Sequence, residues 1–191
     1  MRRRAFDAIV SWVGVVVVVA LLVAGALMLA GSIFANNNVH SELAAQQIYF
    51  PAAGSKALAS SDIGPFLNRY AGQQLVNGPQ AKAWADHFIA VHLKEVAGGQ
   101  TYAQVSAKAQ ANPTDATLKA QVDTLFRGET LRSMLLDAYA FWEIGHLALL
   151  GAIVAFIMAV LAGILTSLGF WHSRKISPQQ TLLTPVVPAS V

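Results

Sequence analysis

Five histidines, His40, His87, His92, His146 and His172, are the residues of this chain best suited to metal binding or proton transfer. His87 and His92 fall five apart on one predicted helix, ~140° apart around its axis, so they cannot share a metal ion. His92 and Glu95, three apart, lie on one face and supply at most two ligands. Glu143-Ile144-Gly145-His146 has the Glu-x-x-His form found in di-iron carboxylate bundles. Those sites need two such units and two further glutamates, and only one unit is present here. We therefore expect no metal and no cofactor. Glu143 and His146 are read as polar anchors at a membrane interface, and His92 as a hydrogen-bonding histidine.

The other routes to catalysis are closed in the same way. The chain has no cysteine, which removes thiol nucleophiles, Cys-ligated zinc and iron–sulfur clusters. No Gly-x-Ser-x-Gly turn presents a serine nucleophile, and Gly98-Gly99 reads as a helix stop rather than a phosphate loop. Axial haem ligation inside the bilayer needs histidines on both spans, and the first has none. Ion or proton pathways need ionisable residues within the spans, and both spans lack them. The sequence predicts a protein that is not an enzyme.

The elements that would position any site follow from an uneven composition. Of 191 residues, 55% are hydrophobic and 12% charged, far below the roughly 25% charged residues of ordinary soluble domains. The excess is concentrated in two runs, Ala8 to Ala35 and Leu147 to Trp171, free of Asp, Glu, Lys, Arg and His. The first follows Arg2-Arg3-Arg4 like a signal sequence. At ~40 Å as a helix, however, it is too long for a signal core and reads as an uncleaved signal anchor. The second is bracketed by Tyr139, Phe141 and Trp142 and by Phe170 and Trp171, and Trp142 to Trp171 spans ~43 Å of helix, a bilayer with its interfaces.

Arg2 to Arg4 before the first span, and Arg174 and Lys175 after the second, place both termini in the cytoplasm of a multi-pass cell-membrane protein. That topology accounts for the net charge of +3 without a nucleic-acid partner. The expected organisation is a basic cytoplasmic N-terminus over 1–7 and a transmembrane helix over 8–35. A helical extracytoplasmic domain over 36–143, a second transmembrane helix over 144–171 and a cytoplasmic tail without fixed structure over 172–191 complete it. The fold class is an all-α membrane protein.

Within the outer segment, Asn36-Asn37-Asn38 marks the exit from the first span, with helix continuing from Val39 to Gln47. Pro51 forces Ile48-Tyr49-Phe50 into an extended stretch. Residues 52–61 read as loop, and a short helix is expected over 62–71, capped by Ser61 with Pro65 in its first turns. Asn77-Gly78-Pro79 opens a helix to Val96, which Gly98-Gly99 stops. Thr101 with Gln104 forms a capping-box pattern for a helix that Asn112-Pro113 ends. From Thr114 the apolar positions keep helical spacing, with Gly128 a bend, into the second span, so a continuous helix would be about 57 residues and ~85 Å long.

Three sets of residues offer non-catalytic function. Gly151, Ala155, Ala159 and Gly163 form a small-residue stripe on the second span, suited to close helix packing within the chain or with a second protein. Ala20 with Ala24, or Ala26 with Ala30, is its counterpart on the first span. Trp84, Phe88 and Tyr102 are the aromatic residues that would line a small apolar pocket. Arg127, Glu129 and Arg132 form either a partner-docking edge near the membrane or a structural stretch, in which Glu129 pairs with Arg132 at i,i+3 beside a bend at Gly128.

Gln47-Ile48-Tyr49-Phe50-Pro51, Gly78-Pro79-Gln80-Ala81-Lys82-Ala83, Ile89-Ala90-Val91-His92-Leu93, Gly98-Gly99-Gln100-Thr101-Tyr102-Ala103 and the stretch Thr124 to Arg132 together resemble an uncharacterised family of two-span actinobacterial-type membrane proteins. The resemblance covers roughly Val39 to Phe170 and implies architecture. Some of that family carry an automatic label of aromatic ring-opening dioxygenase. No local motif here assembles the two histidines and a carboxylate that non-haem iron requires. The first functional expectation is a non-enzymatic membrane protein that contacts lipid and acts by self-association or as an accessory subunit of a membrane complex. The second is an extracytoplasmic small-molecule binding or sensing module, and the third a metal-dependent redox enzyme.

Overall fold

A computed structural model describes residues 3–175, and over them the chain is helical with no strand. Of the tail expected to lack fixed structure over 172–191, residues 172–175 are the last turn of α6; residues 176–191, with Met1 and Arg2, lie outside the described residues. Six α-helices follow in order: α1 (Arg3–Ala45), α2 (Gly64–Leu67), α3 (Gly78–Ala83), α4 (Ala90–Val96), α5 (Tyr102–Ala111) and α6 (Ala116–Lys175). A π-helical turn, Trp84–Ile89, joins α3 to α4 without a break. Short 3-10 turns occupy Lys56–Leu58 and Asn68–Tyr70. Helices α1 and α6 are each long and apolar enough to cross a membrane. The chain divides into two compact units, one from Met1–Gly31 with Leu147–Val191 and one from Ser32–His146.

In the first unit α1 and α6 pack as an antiparallel pair. On α6 the inward positions Ala148, Ala152, Ala155, Ala159, Ala162, Thr166, Gly169 and Ser173 are all buried or half-buried and alternate spacings of four and three. On α1 they are Ser11, Gly14, Val18, Leu21, Gly25 and Met28, at the same alternation. This is a seven-residue repeat whose α6 side is built of small side chains and whose α1 side alternates small residues with Val18, Leu21 and Met28. Thr166 lies against Gly14, and a Cβ at Gly25 would come 2.9 Å from the Phe156 ring. Gly151 faces the Met28 sulfur, and Trp12 meets Phe170 edge-on at 5.9 Å. Small facing side chains let the two helix backbones approach closely, so van der Waals contact runs along the seam.

The seam corrects the expected four-residue stripe. Ala155 and Ala159 belong to it and are buried, and Gly151 touches its edge, whereas nothing lies within 4 Å of a Cβ at Gly163. A stripe at intervals of four drifts around an α-helix, and the alternation of three and four keeps facing its partner. On α1, Ala20, Ala26 and Ala30 are exposed and Ala24 only half-buried.

The second unit is organised around Phe50, whose ring lies 5.1 Å from both Tyr70 and Trp84. Val39 and Leu43 of α1, Leu67 of α2, Leu75, and Leu135 of α6 complete a buried core with it. Phe50 is carried on an extended stretch, where Leu75 N–H donates to the Ile48 carbonyl and Phe50 N–H to the Gln73 carbonyl, both at 2.9 Å. A smaller cluster joins Leu93 and Ala97 to Val105 and Leu125.

Helix starts follow the cap residues. The Asn77 side chain accepts from Gln80 N–H, and Thr101 and Gln104 cap each other reciprocally. Gly98 and Gly99 adopt positive φ of 58° and 80° and end α4. The helix expected over 62–71 begins at Gly64-Pro65, because a proline fits best in the first turn, and runs through α2 into the 3-10 turn Asn68–Tyr70; Ser60 rather than Ser61 accepts from Asp62 N–H. Helix α6 continues through Gly128, and the glycine admits the Leu93 side chain close to the helix.

Candidate functional site

The π turn decides which side chains the second unit presents. Its wider i to i+5 winding, inserted between two ordinary helical segments, is the kind of irregularity found at functional positions. Trp84 stacks on Phe88 at 4.2 Å, and Phe88 on His92 at 4.5 Å. Trp84 and Ile89, at the two ends of the turn, line a cleft of about 370 Å³.

The facing walls are the last turns of α1, with Val39 and Leu43, and the middle of α6, with Leu131, Met134, Leu135 and Phe141. Four polar residues interrupt this apolar lining: Asn38 and Glu42 from α1, Gln46 just after it, and Asp137 from α6. Neither carboxylate forms an ion pair among the described residues, and no Lys, Arg or His lines the cleft. Its size and mostly apolar walls with few polar groups are those of a small-molecule site. Its electrostatics are one-sided, so a ligand with a positive or hydrogen-donating group beside an apolar body fits best.

An ion-pair network fixes the π turn against α6. Lys82 donates to Asp86 at 2.8 Å, Arg132 donates to the other Asp86 oxygen at 3.2 Å, and Arg132 reaches Glu129 at 3.5 Å. Burial pushes the Asp86 carboxyl up, but hydrogen bonds from Lys82 and Arg132 outweigh it and hold the group below the usual carboxylate range. The same hydrogen bond raises Lys82. With Asp86 tied to α6, Trp84 and Ile89 are held in register with Leu131 and Leu135 across the cleft.

The residues singled out from the sequence separate. Trp84 lines the cleft; Phe88 stacks behind it; Tyr102 does not join them. The Gly98-Gly99 reversal carries Tyr102 to a different surface, where it pairs with Phe126 at 6.1 Å. His92 Nδ1 is 2.7 Å from the Phe88 carbonyl oxygen. Glu143 accepts from the Tyr139 hydroxyl at 2.7 Å, and His146 packs on Trp142 at 4.0 Å. No group of three His, Asp or Glu suited to a metal occurs among the described residues, Glu95 included.

The supposed docking edge is divided as well. Arg127 pairs with Asp123 on the exposed side of α6 at 3.0 Å, whereas Arg132 turns inward to Asp86. The sequence reading passed over Glu42 and Asp137. Their signal was present: each is a lone carboxylate beside an apolar helix face, Val39 and Leu43 for one, Met134 and Leu135 for the other. No family model, curated protein or solved structure matches the chain.

Proposed function

We propose that this chain is a non-enzymatic, membrane-anchored binding module. In this reading α1 and α6 cross the cell membrane with both ends in the cytoplasm, and the Ser32–His146 unit lies outside it. There the cleft beside Trp84 takes a small apolar molecule that carries a cationic group. One observation carries the reading: Glu42 and Asp137, both without an ion-pair partner among the described residues, line a mostly apolar cleft next to an indole. A cation over an aromatic face gains up to about 2 kcal/mol when desolvated.

The test is tryptophan fluorescence of the full chain in nanodiscs, titrated with benzyltrimethylammonium and with its neutral carbon isostere, neopentylbenzene. Saturable quenching by the cation that exceeds that of the isostere, and that disappears in Trp84→Phe, is the expected result. Equal responses to the two probes would remove the charge argument.

Self-association, or service as an accessory subunit, stands second. It rested on the small-residue stripe, and Ala155 and Ala159 of that stripe are turned onto α1. Gly163 alone keeps an open flank. Size analysis of the detergent-extracted chain tests that reading separately.

A further inference from the structure

A second cleft, of about 380 Å³, is lined in part by Pro79, Lys82 and Ala83 of α3 and has the opposite electrostatic character. Arg69, Lys82 and His87 line it, together with Tyr139 and Glu143. Its side chains are placed by aromatic contacts. His87 lies flat on Phe66, with ring centroids 3.5 Å apart, and the Lys82 ammonium sits 5.2 Å from the centre of the Tyr139 ring. The Arg69 guanidinium lies over the Tyr70 ring at 5.2 Å.

The charges around this cleft do not balance locally. Arg69 donates from Nε to the Phe66 carbonyl and pairs with no carboxylate among the described residues. Lys82 has Asp86, but Asp86 also serves Arg132. His87 makes no hydrogen bond to another described residue, so its ring nitrogens remain open. The one acid on the wall, Glu143, already accepts the Tyr139 hydroxyl. A fork of guanidinium donors beside an ammonium and an imidazole is the chemistry that recognises phosphate oxygens.

We infer that this second cleft, between Arg69, Lys82 and His87, binds a phosphate group. Two sources share that chemistry, a free phosphate and the headgroup of an anionic lipid. Glu143 is followed directly by the apolar stretch read above as the second span, which puts a headgroup within the argument. The inference is independent of the cationic ligand proposed for the first cleft.

The experiment uses the full chain in a non-ionic detergent with inorganic phosphate as probe, read by thermal midpoint, and in a second arm native mass spectrometry after extraction from phosphatidylglycerol or phosphatidylcholine vesicles. Phosphate should raise the midpoint, or phosphatidylglycerol should stay bound where phosphatidylcholine does not. The first result identifies free phosphate as sufficient and the second a lipid headgroup. Arg69→Gln should weaken the effective interaction about tenfold, the loss of one charge-assisted contact, while Arg69→Lys retains part of it. Glu143→Gln should strengthen it. Arg127→Gln, the same charge change at an exposed arginine outside the cleft, should leave it within about twofold. The inference is overturned if neither probe binds, or if Arg127→Gln loses as much as Arg69→Gln.

Discussion

Arg132 reaches across from α6 to donate to Asp86, 46 residues earlier, at 3.2 Å, and so ties the π turn to the long helix. The contact matters because Asp86 sits two residues after Trp84, which lines the apolar cleft. Asp86 is also held by Lys82, so losing the acid leaves two cations facing each other while losing Arg132 leaves a paired carboxylate. Asp86→Asn should therefore cost more than Arg132→Gln, about 1–2 kcal/mol against about 1 or less at this half-exposed position. Chemical or thermal unfolding of both variants in one detergent checks the order, and an inverted order would contradict the network as described.

Acid should erase the difference. The Asp86 carboxyl titrates below its ordinary range in the folded chain, because its two hydrogen-bonded cations outweigh the effect of burial. A carboxyl lowered on folding adds stability that is complete above its unfolded value and is lost as the pH falls through the folded one. Thermal midpoints of the wild type and Asp86→Asn should thus differ above the ordinary carboxylate range and converge as the pH falls through the lower, folded value. A gap that persists unchanged at low pH would mean that Asp86 stabilises the fold in some way other than by its charge.

Glycines test the close approaches. A Cβ at Gly78 would come 2.6 Å from the Trp142 Cβ and 2.7 Å from Cγ, atoms near the backbone that cannot swing aside. Gly78→Ala should destabilise the Ser32–His146 unit by about 1–3 kcal/mol. Gly163→Ala, with nothing within 4 Å, should be neutral. Equal effects in a melting experiment would refute the packing around Trp142.

In the unit of the two long apolar helices the seam predicts an effect within one chain. Ala159 is 2% exposed and sits where α6 meets α1, so Ala159→Leu should lower the thermal midpoint with no change in oligomer size. Ile157→Leu, at an exposed position on the same helix, should do neither. Dissociation of an oligomer by Ala159→Leu, with the midpoint of the monomer unchanged, would instead assign the seam to a second copy.

Local signals in the sequence were enough for the helices that carry their own punctuation. Asn77 with Pro79, Thr101 with Gln104, Gly98-Gly99 and Pro113 each mark an end where the backbone changes course, and the apolar spacing from Leu118 onward leads without a break to α6. The π turn has no such mark, since Trp84 to Ile89 satisfies an α-helical spacing equally well and one added residue per turn shows only in the hydrogen bonds. The seam was hidden for a different reason. An Ala- and Gly-rich span contains several small-residue registers, and α1 selects among them. Both clefts are lined by residues distant in sequence, Glu42 and Asp137 in one and Arg69 and Glu143 in the other, which no local pattern brings together.

The central claim is that an acidic, apolar cleft beside Trp84 holds a cationic ligand. It is tested most directly by calorimetric titration of benzyltrimethylammonium into the nanodisc-embedded chain and into the double variant Glu42→Gln/Asp137→Asn, which keeps the shape of the cleft and removes its charge. Saturable binding to the wild type, weakened at least about tenfold in the double variant, is the predicted result. Binding of equal strength to both chains, or none to either, would contradict it.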